Sequence, residues 1–435
     1  MKLDEKLNNL TSYPFHMPGH KRRSGLAITG ESIDATEIYG LDNLHSPTGV
    51  IKDIEDRLTN IYNSKRTFIS VNGSTCGILS AVSTVCKKGG EIIIAANCHK
   101  SVYNACVING LDVYFITPEY NFEYSCWGRI TQKSVDDALK KHPNACAVVI
   151  TSPTYEGFVS DIKCAVPLIV DSAHGAHLGF APWLPKRPVG DITVMSLHKT
   201  LPALTQTAIV NVNNEKYIGS VKKYFDIFET SSPSYVLLDS VDKCTDFLEN
   251  SEKAFDDYKK RLDDFYKRFS SLDNIDILEN DDRTRIIVSA HGYTGAELEN
   301  ALRNDYKIEA EGSALKYVIL ISTVCDTNEG FERLYNALSS LEKREKAEFN
   351  IKAPVVPEKM KGSFFAENTA ETALSECVGK ICTEYVYAYP PGCPILVPGQ
   401  VIKQENIDYI SALIENNVNV LSDTSLLPSK ILTKQ

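Results

Sequence analysis

No CxxC pair occurs among the twelve cysteines of this sequence, and no apolar run approaches the roughly 18 residues of a membrane-spanning helix. Scattered thiols of this kind are expected to be reduced, most of them serving as small core residues. No N-terminal apolar stretch resembles a signal peptide, so the expectation is a soluble, cytoplasmic protein. Internal repeats and low-complexity segments are missing too, which excludes solenoid and tail-like architectures. Basic residues are short relative to acidic ones, 46 against 56, for a formal net charge of −10. That balance argues against a general nucleic-acid binder and suits either a cationic small substrate or plain solubility.

What is present is length and alternation. A chain of 435 residues exceeds what one hydrophobic core usually serves, which predicts a large domain with a smaller one. Residues 1–45 hold YPFHMPGHKRRSG and GLDNLHSP, rich in Pro, Gly and His and without periodicity, so they read as an irregular arm. The basic cluster His20, Lys21, Arg22 and Arg23 within it reads as a solvated loop. Ile51, Ile54, Leu58 and Ile61 then mark the first amphipathic helix. From about 66 to 212, apolar β-branched runs (TFISV, EIIIAA, DVYFIT, CAVVIT, PLIVD, DITVM) alternate with helical stretches starting at Thr75, Lys100 and near Val135. This pattern predicts an α/β fold with a mostly parallel sheet covered on both faces. TAIVNVN follows Lys199 too closely for a helical crossover and is expected to pair antiparallel. Residues 214–271 are helical, with aromatic stripes read as core or dimer packing. After about 275, IDIL, RIIVS and YVILIS with helices near 295–305 and 328–345 predict a small α+β domain, and EKMKGS, 358–363, reads as a linker. The expected division is an arm at 1–45, a large domain at 46–272, a small one at 273–357 and a last region at 358–435.

The chemistry gathers at strand ends. PLIVD delivers Asp171 and DITVMS delivers Ser196, followed by His198 and Lys199, at the sheet edge where open α/β folds bind ligands. In VNGSTCG a strand gives way through Ser74 and Thr75 to a helix, whose free N–H groups and hydroxyls suit a phosphate or simply form an N-cap. His99, after the next strand, is either a ring that could stack on an aromatic cofactor or an ordinary loop histidine. Together these are the parts pyridoxal phosphate needs: a phosphate cradle, a flat ring, an acid for the pyridine nitrogen and a Schiff-base lysine. Asp171 would keep the pyridinium protonated, and Lys199, buried near other cations, would be a nucleophile of lowered pKa. Ser196 and His198 are placed to contact the phosphate. His174 and His177, three apart, could share a helix face as metal ligands, but no third ligand motif accompanies them and no metal is expected.

Seven strings, FHMPGHKRR, GLDNLHSPTGVI, NGSTCG, CHKSVYNA, DSAHGAHLGF, SLHKTLPALTQTA and YPPGCPILVPG, resemble in order the ornithine/lysine/arginine decarboxylases. The resemblance covers nearly the whole chain. It implies the PLP-dependent transferase fold (aspartate-aminotransferase-like, fold type I) in a short form without the N-terminal wing of the large inducible enzymes. It also implies a cytoplasmic homodimer with active sites shared across the interface. It puts the Schiff base on Lys199, the pyridinium partner at Asp171, the stacking ring at His99, and phosphate contacts at Ser74, Thr75, Ser196 and His198. His174 would lie near the cofactor's phenolic oxygen and Ala173 against its ring. The TSSPSY string, with Thr230, Ser231 and Ser232, resembles the segment reaching the neighbouring subunit's phosphate. Glu384 stands at the position of the family's acidic residue for the distal amine. Two departures are visible: Gln400 stands where PGE is common, and Lys380 where GR is.

The implied reaction is decarboxylation of lysine, arginine or ornithine, with His198 or Lys199 returning the proton to Cα. Two rivals remain from the residues. An aminotransferase would use the same cofactor parts with an arginine clamp, for which Arg285 and Arg303 are candidates. A silent binding protein on the same fold would not need Lys199 and Asp171 together.

Overall fold

The computed structural model describes residues 13–15, 41–345, 352–364, 366–389, 392–424 and 429–435. The basic cluster His20–Arg23 and Pro390–Pro391 of the YPPG string lie outside them. Eight strands form the largest sheet, in the order Lys359–Lys361, Asp112–Ile116, Glu91–Ala95, Ala145–Thr151, Leu168–Asp171, Ile192–Ser196, Ala208–Val212, Arg66–Ser70. The five from Asp112–Ile116 to Ile192–Ser196 run parallel. Their near-continuous apolar sequence follows from burial on both faces, and Ile92, Ile93, Ile94, Val148, Val149 and Ile150 are all wholly buried. Ala208–Val212 pairs antiparallel with both neighbours, as expected, placing Ala208 between Ser196 and Ser70.

Helices cover this sheet at close range. Gly77 lies on the Gly73–Val85 helix, where an added Cβ would meet Val210 at 2.6 Å and Val194 at 2.8 Å. The Val50–Tyr62 helix buries Ile51, Ile54 and Leu58. It has no side-chain cap of its own; instead the Asp42 carboxylate accepts from the backbone N–H of Thr48, Gly49, Ile51 and Lys52. Burial raises the Asp42 pKa, but these donors outweigh it and the net shift is downward.

Three expectations are corrected. The stretch 358–363 is not a linker, since Lys359–Lys361 adds an antiparallel edge strand that buries Met360 and ties Lys359 Nζ to Asp112 at 2.6 Å. Within the arm, Tyr13–Phe15 is a short strand parallel to Ile308–Ala310, with Phe15 fully buried and Tyr13 donating to Asp326 at 2.9 Å. Two apolar rings over a buried acceptor hold it there despite the lack of periodicity. The thiols are not all free either, because Cys86 at the end of the Gly73–Val85 helix and Cys146 on its facing strand form a disulfide, Cα to Cα 5.5 Å.

A four-stranded antiparallel sheet, in the order Ile275–Ile277, Arg285–Ala290, Val318–Ile321, Gly312–Ser313, follows the helical region. The Glu252–Phe269 helix turns Phe255, Tyr258, Leu262 and Phe265 into a core shared with Leu197 and Leu201 below and Ile286 and Val288 above. The last region has its own core around Val386, Leu396, Ile410 and Val420. Among the described residues no helix is long and apolar enough to cross a membrane.

Candidate active site

Along the carboxyl edge of the parallel strands lies a cavity, the edge at which open α/β sheets bind ligands. Ser74, His99, Asp171, Ala173, His174 and Lys199 line it, delivered by four strand ends and the turns that follow them, with Asp171, Ala173 and His174 sharing one. These six of the expected site residues are therefore brought together. Thr75, Ser196 and His198 sit beside the same turns without lining the cavity, and Ser231 and Ser232 are exposed on a separate loop.

Lys199 Nζ lies 3.0 Å from His174 Nε2. On its far side the His174 ring meets Arg285, whose Nη2 donates to the His174 carbonyl at 2.9 Å and faces Nδ1 at 3.3 Å. A guanidinium only donates, so Nδ1 accepts and the neutral ring carries its proton on Nε2. Lys199 then accepts from His174 and is a free amine. Burial lowers the Lys199 pKa, with Arg285 adding to it against Asp171 and Glu311, and burial likewise holds His174 well below its usual value. An uncharged amine at the mouth of the Leu197–Thr200 turn is a nucleophile.

Asp171 is 4% exposed, and its Oδ1 accepts from the Ala173 N–H at 3.1 Å. Burial raises its pKa, while Lys199 and the Ala173 N–H oppose the rise. The His99 ring is open to the cavity yet enclosed by protein around it; desolvation there, with Lys199 and Lys100, lowers its pKa to about 4. Its Nδ1 accepts from the Ser101 N–H at 3.1 Å, which fixes the ring at the start of the Lys100–Ile108 helix.

The residues fit pyridoxal phosphate on three observations. The Gly73–Val85 helix begins at Gly73, φ 76°, with no side chain capping its first turn, so its N–H groups stay available to an anion beside Ser74 and Thr75. Ser196 Oγ is wholly buried and has no partner among the described residues, an orphan that a phosphate oxygen would satisfy. Asp171 and Lys199 lie in one cavity with the His99 ring, matching an acid, an aldehyde-binding amine and a ring surface. His198 Nδ1 donates to the Thr207 carbonyl at 2.9 Å, which fixes its ring.

Glu384 does not reach the cavity. It is 2% exposed, with one oxygen accepting from the Leu432 N–H and the other from Thr424 Oγ1 at 2.8 Å, so its carboxylate fastens the last strand. Gln400 closes its own turn, its Oε1 accepting from the Val397 N–H, and Lys380 Nζ donates to Thr372 Oγ1. Both departures thus fall in turns of the last region. His174 and His177 take different partners, His177 Nε2 lying 3.1 Å from Asp282. No metal-holding cluster occurs among the described residues. Of the clamp candidates, Arg303 is held by Glu299 and Glu309, and Arg285 is buried behind His174.

Several cavity residues escaped the sequence reading: Trp127, Tyr155, Glu156, Glu311, Tyr389 and Cys393. Tyr155 packs edge-on against His174 at 4.7 Å and its hydroxyl donates to Glu311. Paired carboxylates in an acidic chain carry no distinctive spacing, so only the fold assembles them.

Residues 5–290 match the family model described as Orn/Lys/Arg decarboxylase, major domain, and residues 341–420 its C-terminal domain. The chain is 33% identical to a Bacillus subtilis (strain 168) protein named arginine decarboxylase, over 91% of this chain and 89% of that one. An arginine decarboxylase of Bacillus anthracis is 32% identical over 93% of this chain and 91% of its own length. Among solved structures, the Francisella novicida lysine decarboxylase superposes with a TM-score of 0.74 at 17% identity, covering 91% of this chain and 73% of that one.

Proposed function

This chain belongs to the Orn/Lys/Arg decarboxylase family, and on that premise we propose that it converts arginine to its amine and carbon dioxide in the Asp171–Lys199 cavity. It is a pyridoxal-phosphate-dependent decarboxylase of a basic amino acid with a fold-type-I architecture. Arginine is chosen because the relatives above 30% identity cited here carry that substrate in their names. The single observation carrying the site assignment is the convergence of Asp171, Lys199, His99 and His174 on one cavity.

When bound, the cofactor supplies an aldehyde for an amine and a protonated ring that accepts the electron pair released as the Cα–carboxylate bond breaks. The protein's residues do the rest. Lys199, its pKa lowered by burial and its Nζ 3.0 Å from His174 Nε2, would hold the cofactor's aldehyde and release it to the substrate's amine. Asp171, fixed by the Ala173 N–H, holds the proton on the pyridine nitrogen. His99 and Ala173, which line the cavity, would hold the ring, and Ser74, Thr75 and Ser196 with the uncapped helix turn would hold the phosphate. Lys199, which lines the cavity, or His198, beside the same turn, would return the proton to Cα. We further propose a cytoplasmic homodimer in which Ser231 and Ser232 of one subunit approach the phosphate site of the other. Their exposure in the single chain supports that placement.

The test offers arginine, lysine and ornithine to the purified protein with pyridoxal phosphate while amine and carbon dioxide are measured. Arginine should give the highest kcat/KM. Amine from none of the three would sink the reading, and a tenfold preference for lysine would reassign the substrate.

A further inference from the structure

A second chamber adjoins the cofactor cavity, and Trp127, Glu156 and Cys393 line both. Glu156 follows Tyr155 in the turn after the Ala145–Thr151 strand, and it is 7% exposed. Its Oε1 accepts from the Tyr317 hydroxyl at 3.0 Å, and Tyr317 is itself buried. Every donor around it is neutral: Tyr317, Thr154 and a backbone N–H. Among the described residues no Lys, Arg or His pairs with it. A buried carboxylate held this way is costly while it remains charged and alone, and burial accordingly pushes its pKa up. The cost is removed when a cation enters.

The other acids near the cavity are already committed. Asp171 lies in the field of Lys199 and accepts from the Ala173 N–H. Glu311 accepts from Tyr155 and acts on Lys199. Glu384 fastens the last strand. Among the described residues only Glu156 combines cavity position, burial and the lack of a counter-ion, and Trp127 on the same wall offers an aromatic surface to a cation.

We propose that Glu156 receives the distal cation of the substrate, and so sets the preference for basic over neutral amino acids. This rests on the reading that the cavity takes a basic amino acid. Charge and length are then read at the same wall, because the guanidinium or ammonium must reach Glu156 while the α-amine is held at Lys199.

The test compares arginine with citrulline, its uncharged near-isostere, on the holoenzyme. Two signals are followed: the change in the cofactor's visible band on amino-acid addition, which reports binding without turnover, and carbon dioxide release. In Glu156→Gln, KM and the binding constant for arginine should rise about 30- to 100-fold with kcat changed far less, and the arginine–citrulline ratio should collapse by a similar factor. Glu156→Asp should keep most of the discrimination, and Tyr317→Phe, which leaves the carboxylate but removes its orienting bond, should lose about 3- to 10-fold. The cofactor band before substrate addition should be unchanged in all three, which separates a folding defect from a binding one. If the wild type favours arginine over citrulline and Glu156→Gln favours it equally, the proposal is overturned. A wild type that responds to no basic amino acid overturns the parent reading and this one with it.

Discussion

The two walls of the cavity are built differently. On the cofactor side, Ser74, His99, Asp171 and Lys199 come from four strand ends of one sheet, with His99 and Asp171 fixed by bonds to residues two positions on. On the facing side, Trp127, Glu156, Glu311, Tyr389 and Cys393 come from turns, the small sheet and the last region, positions far apart in the chain. The first wall is rigid because its residues inherit the register of the sheet. The second depends on how several pieces dock, which is where side-chain length and charge can be tuned without disturbing the cofactor.

If that division is right, the largest loss comes from the cofactor wall. Lys199→Ala should abolish the cofactor's visible absorbance near neutral pH and lower turnover on the order of 10⁴-fold or more, because among the described residues no other lysine lines the cavity. An unchanged spectrum would remove Lys199 from its role. Asp171→Asn comes next: it keeps the acceptor for the Ala173 N–H but not the charge, so cofactor should still bind while kcat falls about 10²- to 10³-fold. Near-normal turnover would mean the ring needs no acid beneath it.

The same division explains what could be read from the sequence. Asp171, Lys199, His99 and Ser74 stand where an apolar β-branched run stops and a helix or turn begins, and that transition is visible residue by residue. The antiparallel return of Ala208–Val212 was legible too, from a connection too short for a crossover. Glu156 gave no such signal, because PTYEG looks like any turn and its importance arises from burial against Tyr317, 161 residues away. Glu384 failed in the opposite sense. Its place in a motif suggested a ligand, while its partners, Leu432 and Thr424, are 48 and 40 residues downstream and make it a clasp. The Lys359–Lys361 strand was missed because a three-residue edge with alternating lysines carries no periodicity.

A smaller effect separates phosphate binding from packing. Ser196→Ala removes a buried hydroxyl that has no partner among the described residues, so the apoprotein should be as stable as wild type or slightly more so. The holoprotein should instead lose cofactor affinity by about 5- to 30-fold. Thermal midpoints with and without pyridoxal phosphate would therefore move in opposite directions. A fall in both would assign Ser196 to the fold alone.

The smallest effect on activity is expected at Glu384, and it bears most directly on where the substrate wall ends. Both of its oxygens accept hydrogen bonds; in Glu384→Gln the amide oxygen can keep the Leu432 N–H while the NH₂ donates to Thr424 Oγ1, whose own proton can turn to Ser422 Oγ, so both contacts persist without the charge. Losing the charge-assisted part of these bonds should cost about 1 kcal/mol of stability, measured by denaturant unfolding. Arginine kcat/KM should stay within about threefold of wild type, since the side chain touches nothing in the cavity. A large KM increase for basic amino acids with unchanged stability would extend the substrate wall to the last region and dissolve the contrast between the two carboxylates, one held for a cation and the other spent on its own chain.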